Sequence, residues 1–286
     1  MIETDGTTYQ SCKYAKALFA SDQKVGKTSF LVASSLGMLP WQKHGGVVDD
    51  PSNLHVLTFD ANAAGGLSRF LKETCGAPEL ALKFRIYNMQ EDARRVSIQE
   101  QEWDYGFYSM VMSCLETISK RAKGVPVIIV SSLTGLAASL ERALSGPPGQ
   151  KRGNSMDQAK WADYSRQIAE LRNYAQQDKW HMFWEAHVYR PPSNGQNQEQ
   201  AKETLQISGK SGQNFGYNVE QVFRIRRNFG TPFGQTKCEQ VFLDTRPSME
   251  FIANGRGFTE ALEPRESDLT KALQKLGLEV GGWRAK

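Results

Sequence analysis

Short apolar runs alternate with stretches of helical spacing along most of the chain, which predicts an α/β protein. Tyr14–Ala20 predicts a strand, followed by a polar loop and a helix from about Thr28. His55–Phe59 predicts a second strand, ending at Asp60, and Phe84–Tyr87 a third. Within 108–122, Val111, Leu115 and Ile118 recur at a helical interval. Val125–Val130 is apolar and rich in β-branched residues, as expected for a strand buried on both faces. In 157–177, Trp161, Tyr164, Ile168, Leu171 and Ala175 fall on one stripe, which predicts a core-facing helix. Met182–Trp184 leads a strand towards His187. Glu220–Arg227 alternates Val222, Phe223 and Ile225 with arginines, and Gln240–Leu243 with Glu250–Ala253 predicts a closing antiparallel pair. Ser267–Leu276 predicts a short amphipathic helix stopped by Gly277.

Two stretches interrupt this rhythm. Ser145–Asn154 is a basic loop rich in glycine and proline, and Arg190–Gln200 is a longer polar one. Loops of this length inside a domain are usually functional or disordered. No linker divides the chain into equal halves. The expected organisation is one core over residues 1–263, with a C-terminal helix and tail over 264–286.

Composition narrows the class. The 286 residues are 40% hydrophobic and 23% charged, which excludes wholesale disorder. A net charge of +4 permits a polyanionic partner without requiring one. The cysteines at 12, 75, 114 and 238 form no CxxC pair, so a zinc site or disulfide framework is not expected. The N-terminal stretch is polar, and no apolar run approaches the roughly 20 residues needed to span a bilayer. A soluble, cytoplasmic protein is expected.

The strongest local signal is Ser21-Asp22-Gln23-Lys24-Val25-Gly26-Lys27-Thr28. It matches the phosphate-loop pattern G-x-x-x-x-G-K-[ST], with Ser21 where the first glycine belongs. In such a loop, backbone N–H groups and the positive end of the following helix cradle a β-phosphate. Gly26 lets the backbone approach closely, Lys27 reaches the β- and γ-phosphates, and the Thr28 hydroxyl ligates Mg²⁺. A strand before the motif and an apolar helix after it (Phe30, Leu31, Val32, Leu36) supply the required context.

The order of motifs after this loop resembles that of the RecA-like recombinase ATPases, most closely their phage-encoded branch linked to single-strand annealing and recombination. A strand ending in Asp-Thr-Glu is matched by Phe59-Asp60-Ala61-Asn62, and one ending in Val-Asp-Ser by Ile129-Val130-Ser131-Ser132. A strand ending in a polar sensor is matched by Glu185-Ala186-His187. Leu-x-Gly-Lys and a Val-x-Arg strand are matched by Ile207-Ser208-Gly209-Lys210 and Val222-Phe223-Arg224. Thr245-Arg246-Pro247 and Gly255-Arg256-Gly257 complete a resemblance over about residues 13–262. It implies a RecA-like P-loop core, a twisted mainly parallel sheet with helices on both faces, binding ATP and Mg²⁺.

Two departures carry chemical weight. The family's catalytic glutamate falls at Asn62, whose amide orients water but cannot take its proton. The family's metal-associated aspartate falls at Ser131, which keeps a hydroxyl but no charge. Asp60 is a partial substitute or a plain strand-end cap. The resemblance implies that Thr28 and Ser131 face the metal, that His187 senses the γ-phosphate, and that Lys210 acts in trans in a head-to-tail ring or filament. Arg224 and Arg226 are the runners-up for that trans cation. Weak hydrolysis is the expectation.

The family's two DNA-binding loops fall here at about 143–156 and 189–206. Lys151, Arg152, Tyr189, Arg190 and Lys202 are the candidate single-stranded DNA contacts, with Tyr189 the main stacking residue. Ordinary surface loops are the competing reading. The expected function is ATP-dependent binding of single-stranded DNA in phage or mobile-element recombination or replication. The alternatives are a nucleotide-gated scaffold or loader without strand pairing, and a DnaB-type ring helicase.

Overall fold

A period of two runs inside the apolar strands and sorts the core into two layers. In β1 (Lys16–Ser21), Leu18 and Ala20 join one apolar cluster, Ala17 and Phe19 the other. In β4 (Val127–Ser131), Ile128 and Val130 part in the same way from Val127 and Ile129. A strand apolar on both faces has to be covered on both. The covering helices divide accordingly: α1 (Lys27–Ser35), α2 (Ala63–Glu73) and α6 (Leu269–Lys275) pack on one face. The opposite face is covered by α3 (Gly106–Arg121), α4 (Leu133–Ser145) and α5 (Gln158–Ala175).

The structure is a computed structural model and describes residues 12–22, 25–39, 41–59, 63–89, 106–145, 156–189, 204–208, 215, 219–227, 241–244 and 265–284. The other strands are β2 (Leu54–Thr58), β3 (Arg85–Asn88), β5 (His181–Tyr189), β6 (Thr204–Leu205), β7 (Gln221–Arg227), β8 (Val241–Asp244) and β9 (Arg265–Glu266). Among the described residues the sheet runs β3-β2-β4-β5-β1-β7-β8-β9, with β6 attached to β5. Pairings from β3 through β7 are parallel, whereas β8, β9 and β6 join antiparallel. The mainly parallel sheet covered by helices on both faces, expected from the motif order, is therefore the observed architecture. β1 lies between β5 and β7, which places the loop after it at the middle of the sheet's carboxyl edge.

Local chemistry sets the helix ends. Asp157 accepts a hydrogen bond from the Lys160 N–H at 2.9 Å and starts α5, as Asp268 does for α6 from the Lys271 N–H at 3.0 Å. Gly277 ends α6 in the left-handed region, at φ 74°. The strand expected at Gln240–Leu243 is β8, which pairs antiparallel with β7, while Glu250–Ala253, the partner expected for it, lies outside the described residues. No described helix is long and apolar enough to cross a membrane.

Candidate functional site

The parallel register brings four chain segments to the carboxyl end of β1. Ser21, the last residue of β1, pairs with His187 on β5. It lies in an extended strand, so glycine's freedom is not required there, and its Oγ donates to the Asp22 carbonyl at 2.8 Å. Gly26 caps α1 at φ 82°, a left-handed conformation that costs other residues about 1–2 kcal/mol. A Cβ added there would meet no described atom within 4 Å, so the glycine answers a conformational need rather than a crowding one.

α1 begins with no side-chain cap and no acidic residue in its first turn. Its leading N–H groups therefore carry the helix's partial positive charge uncompensated, which suits an anion. Lys27 is buried, and its Nζ donates to the Asp22 carbonyl at 3.2 Å. Burial lowers the Lys27 ammonium below the ordinary lysine range, with Glu185 opposing and Arg224 adding to that shift.

Thr28 is the hub. Its hydroxyl donates to Glu185 Oε2 at 2.7 Å and lies 2.8 Å from Ser131 Oγ. Glu185 sits in the middle of β5, and its neighbours Trp184 and Ala186 point into the opposite core layer. It is 1% exposed, and its second oxygen, Oε1, has no hydrogen-bond partner among the described residues. Burial raises its carboxyl well above the usual range, against the pull of the Thr28 hydroxyl, Lys27 and the Ser131 hydroxyl. His187, two residues on along the same strand, is held down to about 4 by burial and then by the Lys27 cation. The imidazole is neutral at pH 7, and the backbone N–H of His187 donates to Thr134 Oγ1 at 2.9 Å.

Hydroxyl and carboxylate oxygens are the donors that a hard divalent cation takes, and Mg²⁺ typically uses one or two carboxylates together with phosphates. The set of Thr28, Ser131 and Glu185 fits that description. No cluster of three or more His, Cys, Asp or Glu side chains that could hold a metal ion occurs among the described residues.

No family model and no curated protein sequence matches the chain. Many solved structures are similar in fold, two of them as follows. The ATPase domain of G40P aligns at a TM-score of 0.42 and 12% identity, over 82% of this chain and 76% of that one. The RadB recombinase aligns at 0.39 and 16% identity, over 77% and 78%. Likeness this distant leaves the site to be argued from the chain's own residues.

Of the residues expected at the site, Ser21, Asp22, Val25, Gly26, Lys27, Thr28, Ser131 and His187 converge on this edge. Gln23, Lys24, Asp60, Asn62 and Lys210 lie outside the described residues. Lys151, Arg152, Arg190 and Lys202 lie outside them too, whereas Tyr189 ends β5 at 49% exposure. Arg224 is buried within its own chain. It is 1% exposed, pairs in register with Ala20, and its Nη2 forms an ion pair with Asp22 at 3.0 Å, inside its own phosphate loop. Arg226 pairs with Asp244 at 3.1 Å.

Glu185 is the residue that sequence reasoning passed over. It stood inside the strand-end match Glu185-Ala186-His187 with attention on the histidine. The available signal was one acidic residue within the otherwise apolar run Met182-Phe183-Trp184-Glu185-Ala186.

Proposed function

We propose that the chain is an ATP-binding protein of the RecA-like class that engages single-stranded DNA during phage or mobile-element recombination or replication. The observation that carries the nucleotide half is the convergence of the uncapped α1 N-terminus, Lys27 and the Thr28–Ser131 hydroxyl pair on one edge of the sheet. In this reading the α1 N–H groups and Lys27 hold the phosphates. Thr28 and Ser131 face a magnesium ion, which would neutralise phosphate charge when bound. Hydrolysis is weak because Asn62 stands where the resembled family has a glutamate, and general-base help is typically worth about 10²–10⁴-fold. Subunits assemble head to tail, with Lys210 offered to the neighbour's nucleotide.

The DNA half is supported by the exposed aromatic ring of Tyr189, which ends β5 on the same edge of the sheet as the nucleotide site. Aromatic faces and amides track a single strand without reading its sequence. Fluorescence anisotropy on labelled oligo-dT tests it. Binding should weaken as salt rises, and Tyr189→Ala should cost about 1–3 kcal/mol of affinity. Deleting Ser193–Gln198 should lower DNA affinity while ATP affinity holds. A deletion that binds DNA like the wild type, or a wild type that prefers duplex, would favour a nucleotide-gated scaffold or loader.

A further inference from the structure

In the nucleotide reading the end of β4 brings to the metal site the Ser131 hydroxyl and no negative charge. We infer that Glu185 is the carboxylate of the magnesium site, delivered from β5 in place of the acid absent from β4. The inference rests on the nucleotide-binding reading and adds a residue to it.

The register makes the exchange possible. β4 and β5 are adjacent and parallel, with Val130 opposite Trp184, so the next residues along, Ser131 and Glu185, come level. Neighbouring strands lie about 4.8 Å apart, a separation that one side chain spans. The contacts follow: Glu185 Oε2 accepts from Thr28 Oγ1 at 2.7 Å, and the same hydroxyl oxygen lies 2.8 Å from Ser131 Oγ. The serine, threonine and glutamate oxygens form one cluster under the phosphate loop.

Energetics separates this role from that of a structural core acid. A carboxylate taken out of water costs several kcal/mol unless it is paired and fully hydrogen-bonded. Arg224, two strands away on β7, pairs instead with Asp22. Lys27 is close enough to act on Glu185 electrostatically, but its ammonium donates to the Asp22 carbonyl. Glu185 Oε1 remains buried without a hydrogen-bond partner among the described residues. A divalent cation between the Thr28 hydroxyl and bound phosphates supplies the missing compensation, and magnesium takes carboxylate, hydroxyl and phosphate oxygens together.

The test compares the affinity of a fluorescent, non-hydrolysable ATP analogue in Mn²⁺ with its affinity in EDTA, alongside the EPR spectrum of bound Mn²⁺. In the wild type the metal should tighten binding. Glu185→Gln should remove most of that gain, by about tenfold or more, and should broaden or abolish the bound-Mn²⁺ signal. The double variant Ser131→Asp/Glu185→Gln should recover the gain, because the carboxylate returns to the adjacent strand. If Glu185→Gln fails to fold, Glu185→Asp withdraws the oxygen by one methylene and should show the same loss in smaller degree. A Glu185 variant that keeps the full metal-dependent gain overturns the assignment alone. A wild type that binds no analogue in either condition overturns the nucleotide reading and this inference together.

Discussion

The two ends of β1 each bury a lysine, and the contrast between them shows what separates a site from a core. At the amino end, the Lys16 ammonium donates to the Trp180 carbonyl, its N–H donates to Gln221 Oε1 at 3.2 Å, and the Ala15 N–H donates to His181 Nδ1 at 3.1 Å. At the carboxyl end, Lys27 lies beside Glu185, Arg224 and an uncapped helix, and one Glu185 oxygen is left over. Burial pushes both ammonium groups down, Lys16 to about 8, so a shifted lysine by itself distinguishes nothing. The difference lies in completeness. Donors and acceptors at the amino end pair with one another, whereas the carboxyl end leaves a buried Glu185 oxygen without a hydrogen-bond partner among the described residues. Open α/β sheets bind ligands at the carboxyl ends of their strands, and the imbalance falls on that side.

The largest expected effect breaks the symmetry of the two lysines. Lys27→Ala should weaken ATP binding by about a hundredfold or more, since the buried cation at the start of α1 is lost. Lys16→Met, about 17 Å away along the strand, should leave ATP affinity within about twofold. Titration with a fluorescent ATP analogue reads both, and equal losses would erase the distinction between the ends.

A smaller effect sharpens the carboxyl end as the chemical one. Asn62→Glu should raise phosphate release by about tenfold or more by restoring a general base. Robust wild-type turnover, unchanged in this variant, would place the base elsewhere.

The smallest effect belongs to the amino end and concerns stability. Burial, and then the Lys16 charge, depress His181 from the ordinary 6.5 to about 3. Between those values the unfolded chain binds a proton that the folded chain does not. Stability is therefore full above about pH 6.5 and is lost as pH falls, at about 1.4 kcal/mol per pH unit for one such group. His181→Gln keeps an acceptor for the Ala15 N–H and should flatten the slope by about that amount in urea unfolding between pH 4.5 and 7. An unchanged slope would show that His181 is not held neutral.

Much of this frame was legible in sequence, because burial leaves a direct imprint on composition. The strands β1, β2, β4, β5 and β7 stand out as apolar runs, and the helix α5 as the stripe from Tyr164 to Ala175. The phosphate loop was legible because its chemistry is local. Two helices were not read. In α2, Gly65 and Gly66 mask a face on which only Leu67 and Leu71 are buried. α4 begins two residues after β4, too close for the boundary to show in the pattern. Register was the other hidden quantity. Arg224 reads as a cation available to a neighbour until its pairing with Ala20 sets it beside Asp22 in its own chain. Glu185 reads as a strand residue until β4 and β5 come level and place it against Thr28. Neither relation is contained in any window of the sequence.

The most direct test is an anomalous difference map from crystals grown with a non-hydrolysable ATP analogue and Mn²⁺. The account predicts phosphate density against the first turn of α1 and Lys27, with a manganese peak in contact with the Thr28 hydroxyl. Nucleotide bound elsewhere, or a metal peak away from Thr28 with the phosphates in place, would contradict it.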